Sequence, residues 1–391
     1  MKLTQLEKKA AFSLAGIYSL RMFGLFLVIP VLFIHAQGLS GFTPILAGLA
    51  IGIYGLGQAI LQIPFGYLSD RVGRKPVIIV GLLIFAFGSV IAANAESVWG
   101  LILGRALQGS GAIASTLMAF AADLSRPEMR SKIMALIGAT IGASFVLALV
   151  AGPWLAGQIG FAGLFWLTAG LAMVAIMVLQ WVTPSADVRV GNLAVLPAQK
   201  QLQAVLADGQ LLRMNLGIFL LHLFLTAIFV ILPQQLIAKG LPLTSHSLTY
   251  LVLILGGFIF MLPALIMVEK KKAHRNGFIV AVLTLVAANL LMGFLNSLTG
   301  LIVGMGLFFI SFNFLEASLP ALVSRLCSTE NRGTAMGVYS TSQFSGAFVG
   351  GAMAGAVLQY GNYQLVFLGL AAMSILWLFA TFGIKPVATN L

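Results

Sequence analysis

Apolar residues run along this chain in about a dozen continuous stretches, separated by short polar breaks. A membrane-spanning helix needs roughly 20 apolar residues. That length predicts spans near 11–33, 45–66, 77–94, 98–120, 134–157 and 161–183. A second set falls near 214–238, 248–268, 276–295, 299–322, 334–358 and 363–383. The runs are continuously apolar rather than alternating, which excludes a transmembrane β-barrel. The predicted class is an all-α integral membrane protein with 12 transmembrane helices in two six-helix bundles.

The one long polar connection, 184–213, divides six spans from six. It predicts an N-terminal bundle over 1–183, a cytoplasmic linker over 184–213 and a C-terminal bundle over 214–391. Residues 199–207 of the linker read either as a short amphipathic helix on the membrane surface or as loosely ordered chain. The halves are related: Glu128, Arg130, Met134 and Phe165 recur as Glu330, Arg332, Met336 and Phe367, each 202 positions later. Six spans is an even number, so both copies of a duplicated unit would insert the same way. In the first copy, Ser125-Arg126-Pro127-Glu128 reads as a capping box opening the fifth span. The second copy has Cys327 in place of that serine, so its cap is lost or moved to Ser328.

The chain is 60% hydrophobic and 8% charged, against about a quarter charged in soluble domains. Its basic residues are sorted. One side of the membrane takes Lys2, Lys8, Lys9, Arg71, Arg74, Lys75, Arg126, Arg130, Lys132, Arg189, Lys200 and Arg213. The same side takes Lys270, Lys271, Lys272, Arg275, Arg325, Arg332 and Lys385, whereas the other holds Lys239 alone. Lys and Arg concentrate in cytoplasmic loops, so both termini are expected in the cytoplasm. The net charge of +12 then reflects topology and contact with anionic membrane lipids, and no nucleic-acid partner is expected. The first span is too long for a signal peptide and is expected to stay in place. Cys327 is the only cysteine, which excludes an intramolecular disulfide.

Between the second and third spans stands Gly66-Tyr67-Leu68-Ser69-Asp70-Arg71-Val72-Gly73-Arg74-Lys75, a two-glycine turn carrying one carboxylate and three cations. This segment resembles the signature of the major facilitator superfamily, G-x-L-a-D-r-x-G-r-k, at essentially every defining position. The resemblance extends over all twelve spans and is greatest to the drug:proton antiporter group, within it to YajR-type inner-membrane transporters. It implies a cytoplasmic gate built from Gly66, Asp70, Arg71, Gly73, Arg74 and Asp123. In such a gate Asp70 meets the start of the eleventh span, and Arg74 pairs with Asp123 at the end of the fourth. Read from the residues alone, these charges either form a latch or fix topology, and a lone carboxylate adds nothing to positive-inside orientation. Relatives of this type can carry a soluble domain after the twelfth span, whereas the sequence here stops at Leu391.

Ionisable groups at membrane depth cost about 2.5–3.5 kcal/mol on insertion scales and default to a functional hypothesis. Four stand out: Arg21, Arg105, His222 and Glu316, in the first, fourth, seventh and tenth spans. In the resembling family those spans line a central cavity. Glu316 is the only carboxylate well inside a span, which makes it either the proton carrier or half of a static ion pair. Protonation of a carboxylate responds to burial and to nearby cations, so an Arg or His that moves could load and release it. His222 either shares the relay, as a group that changes charge near neutral pH, or packs as a hydrogen-bonded core residue. Arg105 falls in a stretch resembling the family's fourth-span motif, R-x-x-q-G, which implies a part in proton coupling. Gln108 shares its helical face. Arg21 matches no superfamily-wide motif. Helical spacing puts Phe309, Phe312 and Asn313 on the Glu316 face, and Phe219 and Thr226 on the His222 face. They either line a substrate cavity with Arg21 and Gln108 or face lipid and neighbouring helices.

In the fifth span Gly152, Pro153 and Gly157 resemble the antiporter motif G-P-x-x-G-G, with Ala156 replacing one glycine. Proline kinks the helix and the glycines would admit a close partner. The run Gly109-Ser110-Gly111 has no preceding strand and is no dinucleotide fingerprint. No phosphate loop and no metal-ligand spacing is present, so neither cofactor nor metal is expected, and no nucleophile–base pair suggests an enzyme. The sequence predicts a monomeric multi-pass inner-membrane transporter that expels small amphiphilic compounds in exchange for protons by alternating access. A proton-linked sugar or metabolite carrier and a non-transporting membrane sensor are the alternatives.

Overall fold

The computed structural model describes residues 3–185, 198–328 and 331–385. Arg189, Glu330 and part of the expected linker (186–197) lie outside them. The first span is made of α1 (Gln5–Leu27) and α2 (Ile29–Ala36), the second of α3 (Pro44–Val72) and the third of α4 (Arg74–Ala93). The fourth consists of α5 (Val98–Ser110) and α6 (Ala114–Asp123). A single helix, α7 (Pro127–Met177), with a π-helical turn over Val178–Val182, carries the fifth and sixth spans on either side of Gly160. Gly160 turns the chain at φ 72°, a conformation that glycine adopts without a Cβ clash. After the short α8 (Ala198–Ala207), the last six spans are α9 (Gly209–Ala238), α10 (Leu243–Lys271), α11 (His274–Phe294), α12 (Leu298–Leu326), α13 (Arg332–Tyr360) and α14 (Tyr363–Phe382). The described chain therefore crosses twelve times. It divides into two compact units, Met1–Leu193 and Ala194–Leu391.

Two spans expected to be continuous are broken. The first bends at Val28, two residues before Pro30. The fourth opens over Gly111–Ile113 because α3 and α4 approach it too closely for side chains. A Cβ on Gly109 would lie 2.3 Å from the Tyr54 carbonyl oxygen, and one on Gly111 2.2 Å from that of Gly81. The seventh span begins at Gly209 instead of 214, where Asp208 accepts hydrogen bonds from the Gln210 and Leu211 amides. In the same unit α8 packs on α9 and α13, with Thr334 Oγ1 donating to Gln201 Oε1 at 2.9 Å.

The capping box expected at Ser125 does not form, since its hydroxyl donates back to the Ala121 carbonyl. Glu7 takes over the role. Its carboxylate accepts from the Arg126 backbone amide at 3.1 Å, from Arg126 Nε at 2.8 Å and Nη2 at 2.9 Å, and from Thr4 N at 2.8 Å. One buried carboxylate thus serves the starts of both α1 and α7, and the paired bonds to one guanidinium are the strong kind. Glu7→Ala is expected to lower the apparent melting temperature of the detergent-solubilised protein by several degrees, while Glu128→Ala, on an exposed site, leaves it unchanged. Equal melting of the two variants would remove Glu7 from this role. In the second unit the cap is lost: Asn331 is the N-cap of α13 without a side-chain bond to the helix, and among the described residues Ser328 Oγ accepts only from the Asn331 amide at 3.4 Å.

A glycine-lubricated seam also joins α1 to α7 in the first unit and α9 to α13 in the second. In the first, Gly152 on α7 sits where a Cβ would be 2.3 Å from the Leu27 carbonyl oxygen, at the bend between α1 and α2. In the second, Gly346 and Gly350 of α13 lie equally close to α9, at 2.0 Å from the Phe219 oxygen and 2.2 Å from the Leu223 oxygen. Gly157 does not share this role. It is exposed, with nothing within 4 Å of its Cβ position, so only Gly152 of the expected pair admits a partner.

Candidate functional site

The turn between α3 and α4 is organised around Arg74. Gly73 adopts φ 104°, which L side chains rarely reach, and so reverses the chain within one residue. Arg74 then pairs with Asp70, donates from Nε to Asp123 Oδ2 at 2.8 Å, and from Nη1 to Ser69 Oγ at 2.6 Å. Ser69 Oγ donates in turn to the Gly66 carbonyl at 2.6 Å. Gly66 itself faces Ser115 of α6, with 3.2 Å between its Cβ position and the serine oxygen. Arg71 stands apart, bonded to the Tyr67 hydroxyl and stacked 4.4 Å above its ring. Arg74 therefore braces the end of α3, the start of α4 and the end of α6. Lys75 adds the sixth span, donating to the Thr183 carbonyl at 2.8 Å.

Inside the first unit, Arg21 and Arg105 converge on a residue that sequence reasoning missed. Tyr54 of α3 has the Arg21 guanidinium 5.9 Å and the Arg105 guanidinium 5.1 Å from its ring centre. Both arginines are 1% exposed, and no carboxylate pairs with either among the described residues. Their charges are met otherwise. Arg21 donates from Nη2 to the Gly111 carbonyl at 2.9 Å and lies 5.5 Å from the Phe85 ring. That carbonyl caps the C-terminal end of α5, where a helix presents partial negative charge, and it also accepts from the Ile113 amide at 3.0 Å. The broken fourth span and the buried cation thus stabilise each other. Arg105 donates to Gln108 Oε1 at 2.7 Å and to the Ala50 carbonyl at 3.3 Å. Gln108 is fully buried and passes the chain of bonds on to Ser89 Oγ at 2.7 Å.

Inside the second unit, His222 of α9 and Glu316 of α12 face each other, with His222 Nδ1 3.9 Å from Glu316 Oε2. A second missed residue joins them. The Gln343 amide nitrogen, on α13, lies 2.8 Å from His222 Nε2 and 3.4 Å from Glu316 Oε1. One amide therefore spans two acceptors. Glycine seams set the approach: Gln343 is three residues before Gly346, and α13 rides on the α9 backbone there. Phe312 covers the histidine at 5.9 Å between ring centres and extends through Phe308. Asn313 turns the other way: its amide lies against Gly257 of α10 and donates to the Ile254 carbonyl at 3.5 Å, while Phe309 meets Gly257 through its backbone and packs its ring 5.5 Å from that of Phe308. Asn313 thus leaves the single face expected for Phe309, Phe312, Asn313 and Glu316. Thr226 is buried one turn beyond His222, and Phe219 is partly exposed one turn before it.

Similarity to known proteins follows the same lines. The sequence profile of the Major Facilitator Superfamily matches residues 14–317 and 214–390. Inner membrane transport protein YajR of Escherichia coli (strain K12) is 45% identical over 378 residues, covering 96% of this chain and 83% of that protein. Multidrug resistance protein MdtH of Aeromonas salmonicida (strain A449) is 26% identical over 346 residues, covering 87% of this chain and 85% of that protein. Among solved structures, a bacterial homologue of the human lysosomal transporter Spinster, inward-facing and occupied, matches with a TM-score of 0.78 at 14% identity. That match covers 99% of this chain and 98% of the other, and at such identity it is a likeness of fold.

Proposed function

The chain belongs to the major facilitator superfamily, and on that premise we propose that it expels small amphiphilic compounds across the inner membrane in exchange for protons. The cluster of Glu316, Gln343 and His222 carries this reading. A proton added to His222 Nε2 turns that acceptor into a donor and displaces the bridging amide, whereas a protonated Glu316 still accepts at its other oxygen and loses only its charge. Proton load is thereby coupled to the α9–α12–α13 packing, as alternating access requires. Phe312, Phe219 and Thr226 surround the cluster with the apolar wall and few polar points that suit an amphiphile.

Arg105, with Gln108, is assigned to proton coupling through Tyr54, which it shares with Arg21. Arg21 holds open the break in the fourth span. Asp70, Arg74 and Asp123, with Gly66, Gly73 and Arg71, form the cytoplasmic gate as a brace inside the first unit. Gly152 and Pro153 shape the α1–α7 seam. The charge asymmetry supports both termini in the cytoplasm, and the proposed working form is a monomer. A relative named as a multidrug resistance protein supports export.

The purified protein in proteoliposomes tests this. With an imposed pH gradient, fluorescent amphiphilic dyes are expected to move against the proton flow, and a protonophore should stop them. Dye or sugar moving in the same direction as protons would replace exchange by symport. Gradient-independent behaviour across the panel would point to a membrane sensor.

A further inference from the structure

We propose that a groove on the second unit, walled by α10 and α11 and floored by α12, holds one acyl chain of an anionic phospholipid whose headgroup phosphate rests on Lys271. The groove has a volume of about 220 Å³, and its lining is almost wholly apolar. It is below the roughly 300–1,000 Å³ of sites that enclose small molecules. Its depth matches a leaflet. From His274 at the basic end of α11 to Thr284 at the far end is about 15 Å at 1.5 Å per residue, half of a hydrocarbon core of about 30 Å.

Both walls suit a hydrocarbon chain. Gly277 puts no side chain into the lining, and Val268 and Phe314 pack where one would stand, 2.8 and 2.9 Å from an added Cβ. Two hydroxyl residues line the groove: Thr284 donates its proton to the Val280 carbonyl at 2.9 Å, and Ser311 on the floor is 1% exposed with no hydrogen-bond partner among the described residues. Met267 and Val280 are 52% and 63% exposed, so the groove opens sideways rather than into the unit. The mouth is cationic. Glu269, the nearest carboxylate, is held by both terminal nitrogens of Arg325 at 3.1 Å and lies 4.0 Å from His274. Lys271 has no ion-pair partner among the described residues, and Lys270 and Arg275 add to the charge around it. An anionic headgroup is the complement that the mouth lacks.

Delipidated full-length protein in detergent, offered dioleoylphosphatidylglycerol or dioleoylphosphatidylcholine, tests this by native mass spectrometry. One phosphatidylglycerol is expected to stay bound under conditions that strip phosphatidylcholine. Lys271→Ala should weaken phosphatidylglycerol retention about fivefold, the effect of one basic residue near anionic lipid, without changing phosphatidylcholine. Val280→Trp, at the exposed rim, should fill the groove and reduce retention of both. Equal retention of the two lipids by the parent, or unchanged lipid counts in Val280→Trp, would overturn the assignment. The readout is lipid binding, so either outcome leaves the transport proposal standing.

Discussion

Glu316→Gln is expected to reduce gradient-driven flux in proteoliposomes to the level of protein-free vesicles while the protein still folds and binds. Glutamine preserves the shape of the side chain and its capacity to accept the Gln343 amide at one oxygen. It cannot exchange a proton. The second oxygen of Glu316, buried and without a hydrogen-bond partner among the described residues, faces His222 across 3.9 Å. A neutral amide there removes the charge whose cost at membrane depth makes the site sensitive to proton load. Exchange of dye for dye, which needs no proton movement, should survive in the variant. His222→Gln should weaken coupling less, because Glu316 and Gln343 remain in contact. Gradient-dependent flux that persists in Glu316→Gln would show that protons travel by another group, with Arg105 and Tyr54 the next to examine.

The features legible in the sequence are those fixed by local spacing. Run lengths gave the twelve spans, and the three-residue offset of Arg105 and Gln108 placed them on one helical face, where they are hydrogen-bonded. Because α3 and α4 meet at a turn of a few residues, the motif around Arg74 was also readable, whereas its bond with Asp123, 49 positions away, was implied only by the family resemblance. Features that depend on distant chain were not. An apolar run looks the same whether its helix continues or breaks. What opens the fourth span is a guanidinium 90 positions away and backbone approaching from α3 and α4. Ser125 had the right local pattern for a cap, but its hydroxyl bonds the Ala121 carbonyl instead, and Glu7, 119 positions earlier, reaches the Arg126 amide with a full charge. Helical spacing also put Phe309 and Asn313 beside Glu316 without showing that α10 lies against one edge of that face. Gln343 and Tyr54 carried no signal of their own, being neutral residues whose meaning comes only from the charges brought to them.

The seam between α9 and α13 yields the sharpest structural prediction, because sequence preference and packing pull in opposite directions. Alanine is the better helix former by about 1 kcal/mol, so Gly346→Ala should stabilise α13 if only local preference mattered. Its methyl group would instead stand 2.0 Å from the Phe219 carbonyl oxygen. That oxygen belongs to the backbone of α9 and cannot turn aside. Relief requires the helices to separate, which would also pull Gly350 from the Leu223 carbonyl and Gln343 from His222. Overpacking typically costs about 1–3 kcal/mol, and a clash against helix backbone belongs at the upper end. Gly346→Ala is therefore expected to melt well below the parent in detergent, with Gly152→Ala behaving alike because of the Leu27 oxygen at 2.3 Å. Gly157→Ala has open space around it and should melt at or slightly above the parent. If Gly346→Ala were as stable as Gly157→Ala, the two helices would be free to move apart, and the seam could not set the distance between Gln343 and His222.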